Sequence, residues 1–209
     1  MDYILHKHTT LLWIVYARKD NSMFIGHFAM GAMVKPLAPK IPVWALVAAP
    51  QLMDLLFLPL VAAGVESYTS GPFGHSEIEA FYTHSLVGAL LIAALAYWMG
   101  VTFWKTPSAG MILASLSFSH WIIDLFVHHN DMPWLPGNLG NFQLLGFGLW
   151  DFEYAVFGIE LLMATIATAL YFRWARSEKP TRFWFIGPII LASMFVLLAA
   201  ADIPTLPKM

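Results

Sequence analysis

Ser119-His120-Trp121-Ile122-Ile123-Asp124-Leu125-Phe126-Val127-His128-His129-Asn130-Asp131 closes an apolar run that begins near residue 108. Wound as a helix, this stretch steps by four residues from His120 to Asp124 to His128 and sets all three along one face. The flanking residues are those of a membrane span. An ionisable group held in hydrocarbon costs a few kcal/mol or more unless it is paired, ligated or solvated in a cavity. The stretch therefore predicts a polar site inside a membrane helix bundle.

Composition supports the membrane reading. Of 209 residues 59% are hydrophobic and 11% charged, with a mean hydropathy of +0.66, whereas soluble domains carry about 25% charged residues. Nine Trp, seven Tyr and sixteen Phe fit aromatic belts at both bilayer surfaces. A formal charge of -2 gives no footing for nucleic acid as a partner. With no cysteine, disulfides, thiolate metal sites and thiol nucleophiles are excluded, and any metal must be held by imidazole and carboxylate. The apolar segment 11–17 is short and is followed by Arg18-Lys19-Asp20 without the small-residue pattern of a cleaved signal peptide.

A helix needs about 20 apolar residues to cross a bilayer. Stretches 42–64, 81–104, 108–129, 146–172 and 183–201 qualify, and a shorter one, 22–34, is read as a short span, with a re-entrant or an interfacial helix as the alternatives. The expected fold is thus an all-α, polytopic membrane bundle of five long transmembrane helices plus a short N-terminal one. Residues 1–22 form an appendage with no role assigned, 23–201 a single transmembrane domain and 202–209 a tail. Breakers at Gly71-Pro72, Pro107, Pro133 to Gly137 and Pro180 separate the elements.

Lys35, Lys40, Lys105, Arg173, Arg176, Lys179 and Arg182 map to one side of this topology, which the positive-inside rule makes cytoplasmic. Loops 65–80 and 130–145 carry Glu66, Glu77, Glu79 and Asp131 but no Lys or Arg, and belong outside. Lys7, Arg18 and Lys19 go against the rule if 22–34 spans. At about 1.5 Å rise per residue, Asp54 near mid-span, His84, His120 and Asp124 collect in the outer half of the membrane, with His27 among them if 22–34 spans. That convergence comes from apolar runs and breakers alone.

For His120 and Asp124 the plain alternative is a hydrogen-bonded pair that locks two helices, yet such contacts average a fraction of a kcal/mol and hardly explain so many groups. As a ligand set, imidazole and carboxylate at four-residue spacing suit zinc, with iron or manganese also compatible. Asp54, near mid-bilayer with no Lys or Arg at its depth, needs a cation or a proton. His128, His129 and Asp131 lie at the membrane surface, where solvation and function are open alternatives. His128 or Asp131 is a candidate general base or a further metal ligand. Asp151 and Glu153 read as mouth residues, Glu160 as a group that could orient a ligand histidine, and His6, His8 and His75 as exposed.

Gly26-His27-Phe28, Ala49-Pro50-Gln51-Leu52-Met53-Asp54, Tyr82-Thr83-His84-Ser85-Leu86 and Ser119-His120 with Asp124 together resemble the YdjM-like family of membrane-bound metal-dependent hydrolases. The likeness covers roughly residues 23–172. A closer likeness, through His128-His129-Asn130-Asp131-Met132-Pro133 and Gly146-Phe147-Gly148-Leu149-Trp150, is to a branch of uncharacterised bacterial membrane proteins. The resemblance implies His27, Asp54, His84, His120 and Asp124 as metal ligands and a bacterial inner-membrane location. Two features depart from the family pattern. Pro50 and Asp54 stand four residues apart where the family has adjacent Pro-Asp, and the Arg-Gly that many members carry before the Thr-His segment is missing.

The leading functional expectation is a membrane-embedded metal hydrolase acting on an amphiphilic ester or phosphoester from the outer leaflet, such as a phospholipid or a lipid-linked phosphate. The alternative is a non-catalytic accessory or scaffold subunit of a membrane-protein assembly, with a structural His/Asp cluster. A redox centre fits less well, because the histidines are too few for di-iron histidine boxes. A transporter fits less well because the ionisable groups form no path across the membrane.

Overall fold

The computed structural model describes residues 25–69, 77–178 and 183–201. Seven helices are described: α1 (Ile25–Met33), α2 (Val43–Ala48), α3 (Leu52–Ala62), α4 (Leu86–Trp104), α5 (Pro107–Val127), α6 (Glu153–Glu178) and α7 (Ile186–Ala201). A two-stranded antiparallel ribbon, Ser67–Thr69 against Glu77–Glu79, is the one departure from an all-α architecture among the described residues. The 1–22 appendage, the 202–209 tail, His6, His8 and His75 lie outside the described residues.

Among the described residues three helices are long and apolar enough to cross a membrane by length and composition: α4, α5, and α6 with the 3-10 turn that precedes it, Leu149–Glu178. The other expected spans are shorter. Stretch 42–64 is not one helix but two, α2 and α3, separated at Ala49-Pro50-Gln51. Pro50 has no N–H to continue the ladder and its ring crowds the preceding turn. The chain crosses the break with tighter bonds, from Gln51 N to Ala48 O (3.0 Å) and from Leu52 N to Ala49 O (3.3 Å). Helix α1 has nine described residues, about 13 Å of rise against a hydrocarbon core of about 30 Å, so the described helix is less than half a span. α7 has sixteen residues.

α4 and α5 form a tight helical hairpin, turned at Lys105 in the left-handed region (φ 57°) and restarted by the Thr106 cap and Pro107. The buried face of α4 carries Ala89, Ala93, Ala96 and Gly100, spaced by four, three and four residues. Such a small-residue stripe lets helix backbones approach in a membrane, where lipid removes most of the hydrophobic drive. At the closest point a Cβ on Gly100 would lie 2.6 Å from the Gly110 Cα.

α6 packs with α7, and α1 contacts α2, α5, α6 and α7. α1 therefore bridges the two helical pairs, burying Ile25, Ala29 and Ala32 against Ala164, Ala167, Tyr171 and Phe195. The outward faces carry Leu91, Trp98, Met111, Leu162 and Ile190, all exposed, as expected of surfaces that meet lipid.

Candidate metal centre

The inward face of α5 buries Leu113, Leu116, Ser117, His120, Trp121, Asp124 and Val127. His120 and Asp124 thus take positions that leucine holds one and two turns earlier. Around them the fold gathers His27 from the bridging helix α1, Asp54 from the first turn of α3 and His84 from the turn before α4. His84 is fixed by its neighbours. Ser85 caps α4 by accepting from Gly88 N (2.9 Å) and donates to Tyr82 O (2.9 Å), while Trp121 Nε1 donates to His84 O (2.9 Å). A side chain at Gly88 would collide with the Tyr82 carbonyl, so only glycine lets this turn lie over the helix start.

All three imidazoles direct Nε2 at the two carboxylates. His27 Nε2 is 3.1 Å from Asp124 Oδ1, and His120 Nε2 and His84 Nε2 are 3.1 and 3.6 Å from Asp124 Oδ2. Asp54 Oδ1 is 3.5 Å from His84 Nε2 and 3.6 Å from His120 Nε2. Donor atoms sharing one cation at about 2.0–2.2 Å stand about 3.0–3.6 Å apart in octahedral or tetrahedral geometry, the same range. Two overlapping groups could each hold a metal ion, His27 with His120 and Asp124, and Asp54 with His84 and His120. The rings of His27 and His120 lie 3.9 Å apart and those of His84 and His120 5.5 Å apart.

Charge and hydrogen bonding give a second test of fit. With neutral imidazoles the cluster carries two negative charges, and the ion-pair partners of Asp54 and Asp124 among the described residues are these three histidines alone. Among the described residues Asp54 Oδ2, Asp124 Oδ2, His27 Nδ1 and His120 Nδ1 are buried without a hydrogen-bond partner, and each such group costs about 1–3 kcal/mol, more where it is charged. A divalent cation matches both the charge and the open carboxylate oxygens. The break before α3 contributes as well. It sets Asp54 in the first turn of α3, with its Oδ1 facing His84 and His120.

His128, expected at the surface, is 5% exposed. The segment after α5 folds back, pairing Met132 with Leu145 and laying Trp150 on His128 with ring centres 4.2 Å apart. His128 Nδ1 is hydrogen-bonded to Asp131 (3.0 Å to Oδ1), and its ring centre lies 6.3 Å from that of His84. His129 pairs with Asp151 (3.0 Å) on the exposed rim, while Glu153 starts α6. Glu160 is buried and accepts from Gly26 N at 2.9 Å, so it holds the backbone beside His27 rather than the ring.

Two contributors escaped sequence reasoning. Glu66, just before the first strand of the ribbon, is buried at 3% exposure and accepts from Tyr82 N and Thr83 N, and Trp150 covers His128. Glu66 stands in a loop sixteen residues before Tyr82, and no local pattern marks that contact.

No family model matches the chain, and neither does any curated protein or solved structure. The likeness to metal-dependent hydrolases therefore rests on its motifs.

Proposed function

We propose that this protein is a membrane-embedded metal-dependent hydrolase that cleaves an amphiphilic phosphoester or ester, with zinc as the metal. The observation that supports it most is the convergence of three imidazole Nε2 atoms and two carboxylates at 3.1–3.6 Å inside an apolar bundle. His27, Asp54, His84, His120 and Asp124 are the holding residues. A divalent ion bound there supplies Lewis-acid polarisation of the ester and a lowered pKa for water.

The chain's own acid–base group is His128. Asp131 fixes its orientation through Nδ1, Trp150 covers it, and its ring centre lies 6.3 Å from that of His84. In this reading His128 takes the proton of the attacking water and returns it to the leaving oxygen.

The amphiphilic substrate follows from where the cluster opens. Asp54 is 23% exposed at its side chain, against 6% or less for the other four. Its neighbours Leu55 and Leu58 are exposed apolar residues, so a polar headgroup can reach Asp54 while its chains stay on the leucine surface. With Arg173 and Arg176, at the C-terminal end of α6, on the cytoplasmic side of a bacterial inner membrane, this opening serves the outer leaflet.

The test is hydrolysis of a phospholipid and of a long-chain prenyl phosphate in mixed micelles, with zinc added, by wild type and His128→Gln. The expected result is turnover of one of them, lowered about 10²- to 10⁴-fold in the variant with its zinc content unchanged. Zinc-loaded protein that releases no product from either would count against the hydrolase reading.

A further inference from the structure

We propose that Glu66 and Thr83 form a relay that fixes the tautomer of His84, making both of them positioning residues for the metal centre. Glu66 Oε1 accepts from Tyr82 N (2.7 Å) and Thr83 N (2.9 Å), and Thr83 Oγ1 lies 3.0 Å from Glu66 Oε2 and 3.1 Å from Oε1. On its other side Thr83 Oγ1 is 2.9 Å from His84 Nδ1. All three residues are buried.

The donor inventory decides the direction of these bonds. A carboxylate only accepts, and a hydroxyl has one proton to give and two lone pairs to receive with. The Thr83 proton goes to Glu66, so the bond between Thr83 and His84 is Nδ1–H donating to Oγ1. His84 then carries its proton on Nδ1 and presents an unprotonated Nε2, the atom that faces Asp54 Oδ1 and Asp124 Oδ2 at 3.5 and 3.6 Å. Three electron-rich atoms facing one another are unfavourable unless a cation lies among them. A hydrogen bond from the second ring nitrogen is how ligand histidines are commonly oriented. The purpose of the relay rests on the metal reading, but the tautomer is a property of the metal-free protein.

Substitutions separate relay from packing. In Glu66→Gln the amide oxygen can still take the two backbone N–H groups, while its NH₂ donates to Thr83 Oγ1 and frees the hydroxyl proton for His84 Nδ1. Thr83→Val removes the hydroxyl at constant shape, and Thr83→Ser restores it. The experiment is ¹⁵N NMR of histidine-labelled, chelator-treated protein at alkaline pH, the His84 signals assigned by their loss in His84→Gln, beside zinc affinity by chelator competition.

The relay predicts the Nδ1–H form in wild type and Thr83→Ser, and loss of that preference in Glu66→Gln and Thr83→Val with zinc bound about 10- to 100-fold more weakly. An Nε2–H form in wild type, or a tautomer indifferent to Glu66→Gln and Thr83→Val, overturns it. If the tautomer follows the substitutions while neither wild type nor any variant binds zinc, the relay stands and the metal reading falls.

Discussion

Replacing Asp124 by asparagine keeps the side chain's shape but removes its charge and leaves one carbonyl oxygen where two carboxylate oxygens served three imidazoles. Zinc affinities of about 10–16 kcal/mol spread over four ligands correspond to about 2.5–4 kcal/mol per ligand. Loss of one ligand then weakens binding roughly 60- to 700-fold at about 1.4 kcal/mol per tenfold. Because Asp124 reaches every histidine of the cluster, the effect should lie in the upper part of that range. Free zinc at about 100 times the wild-type Kd stabilises wild type by about 2.7 kcal/mol, and the same concentration gives the variant no more than about 0.6 kcal/mol. At about 2–4 °C per kcal/mol for a chain of this size, zinc should raise the wild-type Tm by about 5–11 °C and that of Asp124→Asn by about 1–2 °C. The assay is thermal unfolding in detergent, each protein measured with chelator and with buffered zinc. Comparing each protein with itself cancels any change in metal-free stability. A zinc-induced shift as large in Asp124→Asn as in wild type would refute the assignment of Asp124 as a central ligand.

Pro50→Ala restores an N–H to the break between α2 and α3; helical content by circular dichroism should rise, while zinc affinity falls about tenfold or more as Asp54 moves. Unchanged affinity would show that the break does not shape the site. Gly100→Leu acts about 24 Å along α4 from His84 and places a side chain against Gly110. It should cost at least about 1–3 kcal/mol, read as a lower Tm, while the zinc stoichiometry of the folded fraction stays that of wild type.

The cluster was legible because its residues are chemically out of place. His120 and Asp124 sit one helical turn apart in an apolar run, and a depth scale from helix boundaries was enough to put His27, Asp54 and His84 beside them. What remained hidden depends on contacts distant in sequence. Residues 42–64 read as one apolar span because hydropathy does not register backbone geometry, although Pro50 is the residue that divides it. His128 stayed open between solvation and function because nothing local announces that Met132 and Leu145 pair and bring Trp150 over it. Glu66 resembled a loop acid, since its partners Tyr82 and Thr83 lie across the ribbon. The short α1 read as a span, whereas its described residues bridge the helix pairs and carry His27 into the middle.

The central claim is that His27, Asp54, His84, His120 and Asp124 hold a divalent metal, and metal content by mass spectrometry on detergent-purified protein tests it most directly. His120 belongs to both candidate groups, so wild type should carry about one or two zinc, iron or manganese ions per chain and His120→Ala almost none. A folded wild-type protein without metal even after zinc loading, or a His120→Ala protein as full as wild type, would contradict the account.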